Sequence, residues 1–482
     1  MRWEAVIGLE VHARLLTRSK LFCACETAFG AAPNSKVCPV CLGYPGALPV
    51  PNRTAIDLAI RVALATGCTI HAESVFARKN YFYPDLPKGY QISQFDKPLA
   101  TGGSLEIATR DGAREIGIIR IHVEEDAGKL IHDATGGATD DTSLVDLNRA
   151  GTPLIEIVSA PDLRSSEEAI AYLTRLRQIV MYCDACDGNM EEGSLRCDAN
   201  VSVRRPGGEL GTRTEVKNLN SFRFLGRAVD FEIERQIALL ERGERVVQET
   251  RLFDPAEGVT RAMRSKEEAH DYRYFPEPDL PPLVIDVESI SRIREGLPEM
   301  PGPRAARYRR DFALNVEDSE TLVTSRELAD YFERTIAAGA SARAAANWVK
   351  NEVLGSCNQC KVELRDFRVT AEMLGETISM VESSEISGKA AKEVFEAMAT
   401  NGGSPREIVE RLGLAQLSDR DAIRAIARRV IAANAAQVEQ FRSGRTGIFG
   451  FLVGQVMKES QGRANPEIAN QILRECLDTE AR

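Results

Sequence analysis

Histidine is scarce in this chain, five in 482 residues, which leaves little room for hydrolysis by a Ser-His-Asp triad. No stretch approaches the ~20 consecutive apolar residues that span a bilayer, and no membrane partner is expected. The opening Met1-Arg-Trp-Glu-Ala-Val-Ile-Gly-Leu-Glu10 runs straight into charged residues, unlike a signal peptide. No G-x-x-x-x-G-K-[ST] loop is present, so a nucleotide would be bound by other means. Kinase signatures and a glycine/serine-rich stretch of the amidase type are missing too. Cations are in deficit: 61 Lys and Arg face 71 Asp and Glu, a net charge of −10. Such a chain does not coat nucleic acid by bulk charge, although a local basic site remains open to it. Eleven cysteines, odd in number and scattered, do not make a secreted disulfide framework. A reducing cytoplasm is expected.

What is present is core material, 43% hydrophobic residues beside 27% charged, in a chain long enough for two to four domains. From Ser194 to Arg204 polar and apolar residues alternate without a break. Ser194, Arg196, Asp198, Asn200, Ser202 and Arg204 share one face, and Leu195, Cys197, Ala199, Val201 and Val203 the other. Turn residues follow, and Arg213, Glu215 and Lys217 lie on one face of a returning strand. Shorter alternations appear at Ile7–His12 and Ile119–Glu124, and Pro153–Val158 reads as a buried strand with one acid, Glu156. Helices are predicted at Thr54–Thr66, at Glu167–Tyr182 behind a capping-box pattern at Ser165–Glu168, and near Phe224–Arg242. Strands and helices do not alternate regularly, so the fold class is α+β with a largely antiparallel sheet over residues 1–292. The proline-dense Phe275–Pro282 reads as a connector closing that domain. Beyond residue 293 the spacing is helical: Glu327–Ala337, Ala342–Val353, Ala371–Met380, Lys389–Ala399 and Asp419–Ala433. Asn401-Gly-Gly-Ser-Pro405 divides the helical part into 293–405 and 406–482.

Three constellations carry chemistry. Cys23-x-Cys25 with Cys38-Pro-Val-Cys41 offers two thiol pairs, the arrangement of a closed structural zinc site. Cys183/Cys186 and Cys357/Cys360 have pair spacing but no second pair, and read as packing. The acids Glu10, Glu124, Glu125, Asp126, Glu156, Glu191, Glu192, Asp198 and Glu215, with His12 and His122, sit on several strands. Scattered carboxylates are the ligands Mg2+ takes, and a buried acid such as Glu156 needs a partner or a metal. Phosphates held by that ion would need cations, for which Lys79, Arg196, Arg213, Lys217, Arg261, Arg264 and Arg273 are candidates. Taken alone, each is more often a solvated surface charge than a ligand. The segment Arg78–Gln91 interleaves aromatics, amides, cations and prolines; a recognition loop and a tyrosine-rich packing loop both fit.

Longer strings carry a resemblance. Ile7-Gly-Leu-Glu-Val-His12, Cys38-Pro-Val-Cys-Leu-Gly-Tyr-Pro-Gly46, Arg78–Gln94, His122–Lys129, Asp146–Val158, Met190–Ser202, Thr214–Phe222, Arg264–Glu267, Asp271–Leu280, Asn347–Glu352, Gly454–Lys458 and Gly462–Pro466 resemble the B-subunit family of glutamyl-/aspartyl-tRNA amidotransferases over almost the whole chain. The resemblance implies a cradle domain like that of glutamine synthetase, then a helical domain and a helical tail that contacts tRNA. It implies phosphorylation by Mg-ATP of the side-chain carboxylate of Glu on tRNA(Gln) or Asp on tRNA(Asn). Ammonia would come from an amidase A subunit, with a small C subunit completing a heterotrimer. By residue, it implies catalytic roles for Glu10, Lys79, Asp198 and Glu215 and Mg2+ contacts at His12, Glu125, Glu156 and Glu191. Arg196, Arg213 and Lys217 remain the cations expected on phosphate, and zinc at Cys23, Cys25, Cys38 and Cys41 rests on this chain's own spacing, since family members vary there. Strand parity favours Glu124 over Glu125 beside His122 unless a bulge intervenes. In the tail, seven Arg and Lys between Asp421 and Arg463 outnumber three acids, and Arg428, Arg429, Arg445, Lys458 and Arg463 are the expected tRNA contacts; a solvated helical face is the alternative. Two other functions compete, an ammonia ligase for a free amino acid and a tRNA scaffold with a lapsed site. The appended helical units speak against the first and the full set of acids against the second.

Overall fold

The alternation that opens the chain forms strand β1 (Glu4–Arg14), with Ile7, Leu9 and Val11 at most 1% exposed on its back. The computed structural model describes residues 3–109, 112–131, 142–263, 272–417 and 419–479. Arg264, one of the candidate cations, lies outside them. The described residues divide into two compact units, 1–304 and 305–482.

The first unit is built on a ten-stranded sheet. Its main strands after β1 are β2 (Gly112–Glu125), β3 (Pro153–Ser159), β4 (Leu195–Arg204), β5 (Thr214–Lys217), β6 (Thr250–Asp254) and β7 (Val259–Ala262), in the spatial order β7-β6-β5-β4-β1-β3-β2. The β5–β6 pairing is parallel and the other pairings along this run are antiparallel. The expected α+β class with a largely antiparallel sheet is what forms. Helices α1 (Arg53–Ala65), α2 (Ser166–Tyr182) and α3 (Phe222–Glu241) bury Ile60, Tyr172, Leu173, Leu176, Leu225 and Val229 in the same apolar cluster as the backs of β1 and β4. Those helices are the ones read from the sequence, shifted at most two residues at either end. The capping box of α2 is half formed: Ser165 Oγ accepts from Glu168 N at 3.2 Å, whereas Glu168 Oε2 accepts from Arg164 N, one residue early. A second, smaller sheet pairs Phe76–Asn80 with Tyr90–Gln94 and with Phe275–Pro276. The proline-dense segment is therefore pinned to the fold rather than free. Arg78 grips the buried Glu277 through Nε at 2.6 Å and Nη2 at 2.7 Å.

The second unit is helical and holds two apolar clusters, one drawn from residues between Ala305 and Val409 and one from residues between Ile423 and Leu477. The helix expected to stop at Val353 runs on. Ala342–Trp348 passes through a π-helical stretch, Val349–Val353, into Leu354–Cys360, and that continuation carries Cys357 and Cys360. Asn401–Pro405, read as a boundary, leads into the helix Pro405–Leu412. That helix has a complete capping box between Ser404 and Glu407, and its Ile408 and Val409 join the first cluster. Among the described residues no helix is long and apolar enough to cross a membrane.

Candidate active site

Register on the main sheet sets the site. His12 on β1 stands opposite Glu156 on β3 and opposite Arg196 on β4, and Glu156 stands opposite His122 on β2. Pairing in register keeps side chains on one face, so four chemically loaded groups form a row. His12 Nε2 lies 3.3 Å from Glu156 Oε2 and 3.4 Å from Glu124 Oε1, and His122 Nε2 lies 3.2 and 3.5 Å from the same two carboxylates. One donor atom from each of His12, Glu124 and Glu156 falls within 4.8 Å of the others, close enough to share one metal ion. Burial pushes the His122 imidazolium down, but the charges of Glu156 and Glu124 outweigh it and hold its pKa up to about 9. Burial likewise pushes Glu156 up, and the two histidines pull it well below the carboxylate range.

The next row joins Glu10 on β1 to Asp198 on β4. Asn200 Nδ2 donates to Glu10 Oε1 at 2.8 Å, and Lys217 Nζ bridges Asp198 and Glu215 at 2.8 Å each. Thr250 donates its hydroxyl to Glu215 at 2.7 Å. Burial, then repulsion from Glu156, Glu215 and Asp198, lifts the Glu10 pKa. Glu10 therefore feels the fields of Glu156, Glu215 and Asp198. Arg196 meets Asp126 at 2.9 Å, and Arg149 reaches the same carboxylate at 3.4 Å. Lys79, on the Phe76–Asn80 strand, lies 4.8 Å from the centre of the Tyr272 ring and 5.9 Å from that of Tyr81. Burial works against its charge, and the fields of Glu124, Tyr274, Tyr272 and Glu156 more than restore it. Arg213 is exposed just before β5 and helps draw the Glu215 pKa down, after Lys217. Arg261 pairs with Asp254 at 3.3 Å near the solvent, and Arg273 is exposed.

Two assigned residues stand elsewhere. Glu125 ends β2 on the opposite side from Glu124, because the one register shift between β2 and β3 falls at Val158/Ser159 and leaves parity at residues 122–125 intact. Its buried carboxylate accepts from Lys88 and from Ile92 N at 2.9 Å. It lines a cavity of about 200 Å3 with Phe22, Cys41, Tyr44, Lys88 and Tyr90. Glu191 is exposed on the turn before β4, apart from the row. The residues that sequence reasoning missed are Lys88, Glu277 and the Asp126–Arg196 pairing. Each depends on a partner 37 or more positions distant, which alternation along one strand does not report.

The sulfur atoms of Cys23, Cys25, Cys38 and Cys41 lie within 4.8 Å of one another. Cys41 Sγ accepts from Cys38 N at 3.2 Å, and its pKa is drawn down to about 4 by hydrogen bonding from Cys23 and Cys38 and by the charge of Lys20. Burial leads in pushing Cys25 up to about 11. Four sulfur donors with one thiol already inclined to ionise suit a thiophilic divalent ion. Cys183 and Cys186 are buried, Cys186 donating to Ser194 O at 3.3 Å, a packing role. In the tail Arg428, Arg429, Arg445, Lys458 and Arg463 are all exposed, and Arg429 is paired with Glu459 at 2.6 Å.

Known proteins are similar to this chain over most of its length. Residues 5–291 match the GatB/GatE catalytic domain and residues 330–477 the GatB domain. The chain is 56% identical to the B subunit of the aspartyl/glutamyl-tRNA(Asn/Gln) amidotransferase of Geotalea uraniireducens (strain Rf4), over 98% of this chain and 99% of that one. The proteins of the same description from Geobacter sulfurreducens, 55% identical over 98% and 99%, and from Alkalilimnicola ehrlichii, 54% over 99% and 100%, are similar to the same extent.

Proposed function

Because this chain belongs to the GatB/GatE family of aspartyl/glutamyl-tRNA(Asn/Gln) amidotransferase B subunits, we propose that its first unit phosphorylates the side-chain carboxylate of Glu on tRNA(Gln), Asp on tRNA(Asn), or both. The acyl phosphate is then converted to the amide. The observation that carries this reading is the single sheet face on which acids from β1, β2, β3, β4 and β5 meet cations. A carboxylate does not accept ammonia, because oxide is too poor a leaving group. In the first step its oxygen attacks the γ-phosphorus of ATP and ADP departs. In the second, ammonia adds at the acyl carbon, phosphate departs, and a proton is lost.

His12, Glu124 and Glu156 would hold Mg2+, which supplies positive charge between two anions that must approach. Lys217 and Arg196, already pre-aligned by Asp198 and Asp126, offer charge to phosphate oxygens, with Arg213 nearest the solvent. Lys79, held among tyrosines, is placed to bind the transferred phosphoryl group, while Glu10, lifted in pKa, can take the proton released on amidation. Zinc fits the four cysteines as a structural ion. A B subunit of this amidotransferase works with partner subunits. We assign ammonia supply to an amidase A subunit held by a small C subunit, and tRNA binding to the helical tail. The cluster between Ala305 and Val409 and the cluster between Ile423 and Leu477 correspond on this reading to a helical domain, 293–405, and a tail domain, 406–482. A translation enzyme of this kind belongs in the cytoplasm.

The direct test supplies misacylated tRNA, Mg-ATP and ammonium chloride to the assembled complex. Amidated aminoacyl-tRNA is expected with wild type and lost with Glu10→Ala. Amidation that proceeds without ATP would overturn the phosphorylation step.

A further inference from the structure

One fully buried cation has no part in this reaction. Lys20 has no solvent exposure, a place lysine hardly ever takes without partners. Its backbone is woven into the cysteine knuckle: Lys20 N donates to Cys25 O at 2.9 Å, and Lys20 O accepts from Asn52 Nδ2 at 3.3 Å. Its Nζ donates to Lys36 O at 2.8 Å, to Leu147 O at 3.4 Å and to Cys41 Sγ at 3.6 Å. Two carbonyls and one sulfur face the three N–H groups of the ammonium. The two carbonyls are neutral. Sulfur is the partner that can carry the balancing charge.

Four thiolates around a divalent ion leave a net charge of −2. Burying that excess is costly unless a cation or directed N–H groups offset it. The Cys38 amide supplies one such N–H, and Lys20 supplies a full charge on the same sulfur. Lys20 also has a second connection. Leu147 begins the turn that ends at Gly151, whose carbonyl accepts from Leu21 N and whose amide donates to Asp126 O, both at 2.9 Å. Arg149 in that turn donates to Ala127 O at 3.0 Å and to Gly128 O at 2.6 Å, beside its contact with Asp126. Gly151 has φ +84°, and a Cβ there would lie 3.4 Å from both Lys20 Cδ and Cys41 Cβ. Lysine stem, cysteine and turn are packed as one piece.

We propose that Lys20 is the counter-cation of the metal held by Cys23, Cys25, Cys38 and Cys41, and that through it metal occupancy fixes the Leu147–Gly151 turn against Asp126. This rests on the metal reading of the four cysteines. The charge on Lys20 stabilises the tetrathiolate, and its hydrogen bond to Leu147 O transmits the knuckle's order to the wall that holds Arg196.

The experiment uses the assembled complex and zinc as probe. Zinc content is measured by mass spectrometry and zinc release by a chromogenic chelator, for wild type, K20M, K20Q and K20R. Gln keeps donors for both carbonyls while losing the charge, so a lysine that merely filled space and bonded carbonyls would leave K20Q like wild type. K20M and K20Q are expected to release zinc at least about 10-fold faster, the range for losing partners that support metal ligands, and K20R, which keeps the charge, to stay close to wild type. Folded K20M and K20Q that hold zinc as wild type does would overturn the role of Lys20. A wild type that carries no zinc would instead overturn the metal reading. The coupling needs no variant: chelating zinc from wild type should speed hydrogen exchange of the amides at 147–151, and unchanged exchange there would overturn it.

Discussion

Glu124 and Glu125 are neighbours in sequence, yet the pleat sends one to the histidines and the other to Lys88. The two carboxylates should therefore fail differently. On the proposed reading Glu124→Gln removes a metal donor, and the Mg2+ concentration for half-maximal amidation is expected to rise at least ~10-fold. Glu125→Gln and Glu191→Gln should keep that concentration within about twofold, since neither side chain is in the row. Mg2+ titrations of amidation by the three complexes check this; equal shifts for Glu124 and Glu125 would contradict the assignment. The two-residue period is readable from the chain alone, and it points to Glu124. Resemblance points to Glu125 instead, because it identifies a string of residues without saying which face each one takes. Glu10, Asp198 and Glu215 are set on the polar side by each strand's alternation. The Glu10–Asp198 pairing across the sheet is not readable, because it joins strands scores of residues apart. The Lys88–Glu125 and Arg78–Glu277 contacts stay hidden for the same reason.

Among the elements, α3 does more than cover the sheet. Its Glu232 is fully buried and accepts from Thr214 Oγ1 at 2.6 Å, Gln236 Nε2 at 2.9 Å, Arg235 Nη2 at 2.6 Å and Nε at 2.9 Å, and Thr260 Oγ1 at 3.0 Å. One carboxylate thus ties α3 to β5 and β7, and β5 presents Glu215 and Lys217 to the front. The apolar stripe of α3 is legible in its spacing, but an acid on that helix looks like surface until the strands behind it are known. Burial pushes the Glu232 pKa up, and the bonds from Arg235, Thr214 and Gln236 outweigh it, leaving it lowered. A depressed carboxyl stabilises the fold above its ordinary pKa, and that stabilisation is lost as pH falls through the folded value. Glu232→Gln should cost about 2–4 kcal/mol at pH 7, because it leaves Arg235 short of its partner. The gap between variant and wild type should narrow below about pH 4.5. Native-state hydrogen exchange of the α3 amides at pH 7 and pH 4 measures it, and a gap that stays constant with pH would show that the charge is not what Glu232 contributes.

At the scale of the whole molecule the charge is divided. A chain of net charge −10 repels a polyanion, so on the proposed reading tRNA would be gripped where the local balance reverses, and between Asp421 and Arg463 cations outnumber acids seven to three. Not all of those cations are available. Arg424 is engaged by Asp421 and Glu475, and Arg429 by Glu459. Arg428, Arg445, Lys458 and Arg463 are exposed and are the residues to test together. The variant Arg428→Ala/Arg445→Ala/Lys458→Ala/Arg463→Ala should raise the KM for misacylated tRNA at least ~10-fold at physiological salt while leaving kcat nearly unchanged. A phosphate contact contributes about 0.7–0.9 to the slope of log affinity against log salt, so losing up to four should flatten that slope by about 3. The salt dependence is the decisive reading, because a variant that had only lost helical packing would bind less tRNA with the slope unaltered. If both KM and slope stay as in wild type, this face is solvated and tRNA is held elsewhere. Ser404 and Ile408 put the start of the Pro405–Leu412 helix with the preceding cluster, so a truncation meant to remove the tail alone should end near Leu417, not at 405. That shortened chain should reproduce the flattened slope of the four-residue variant.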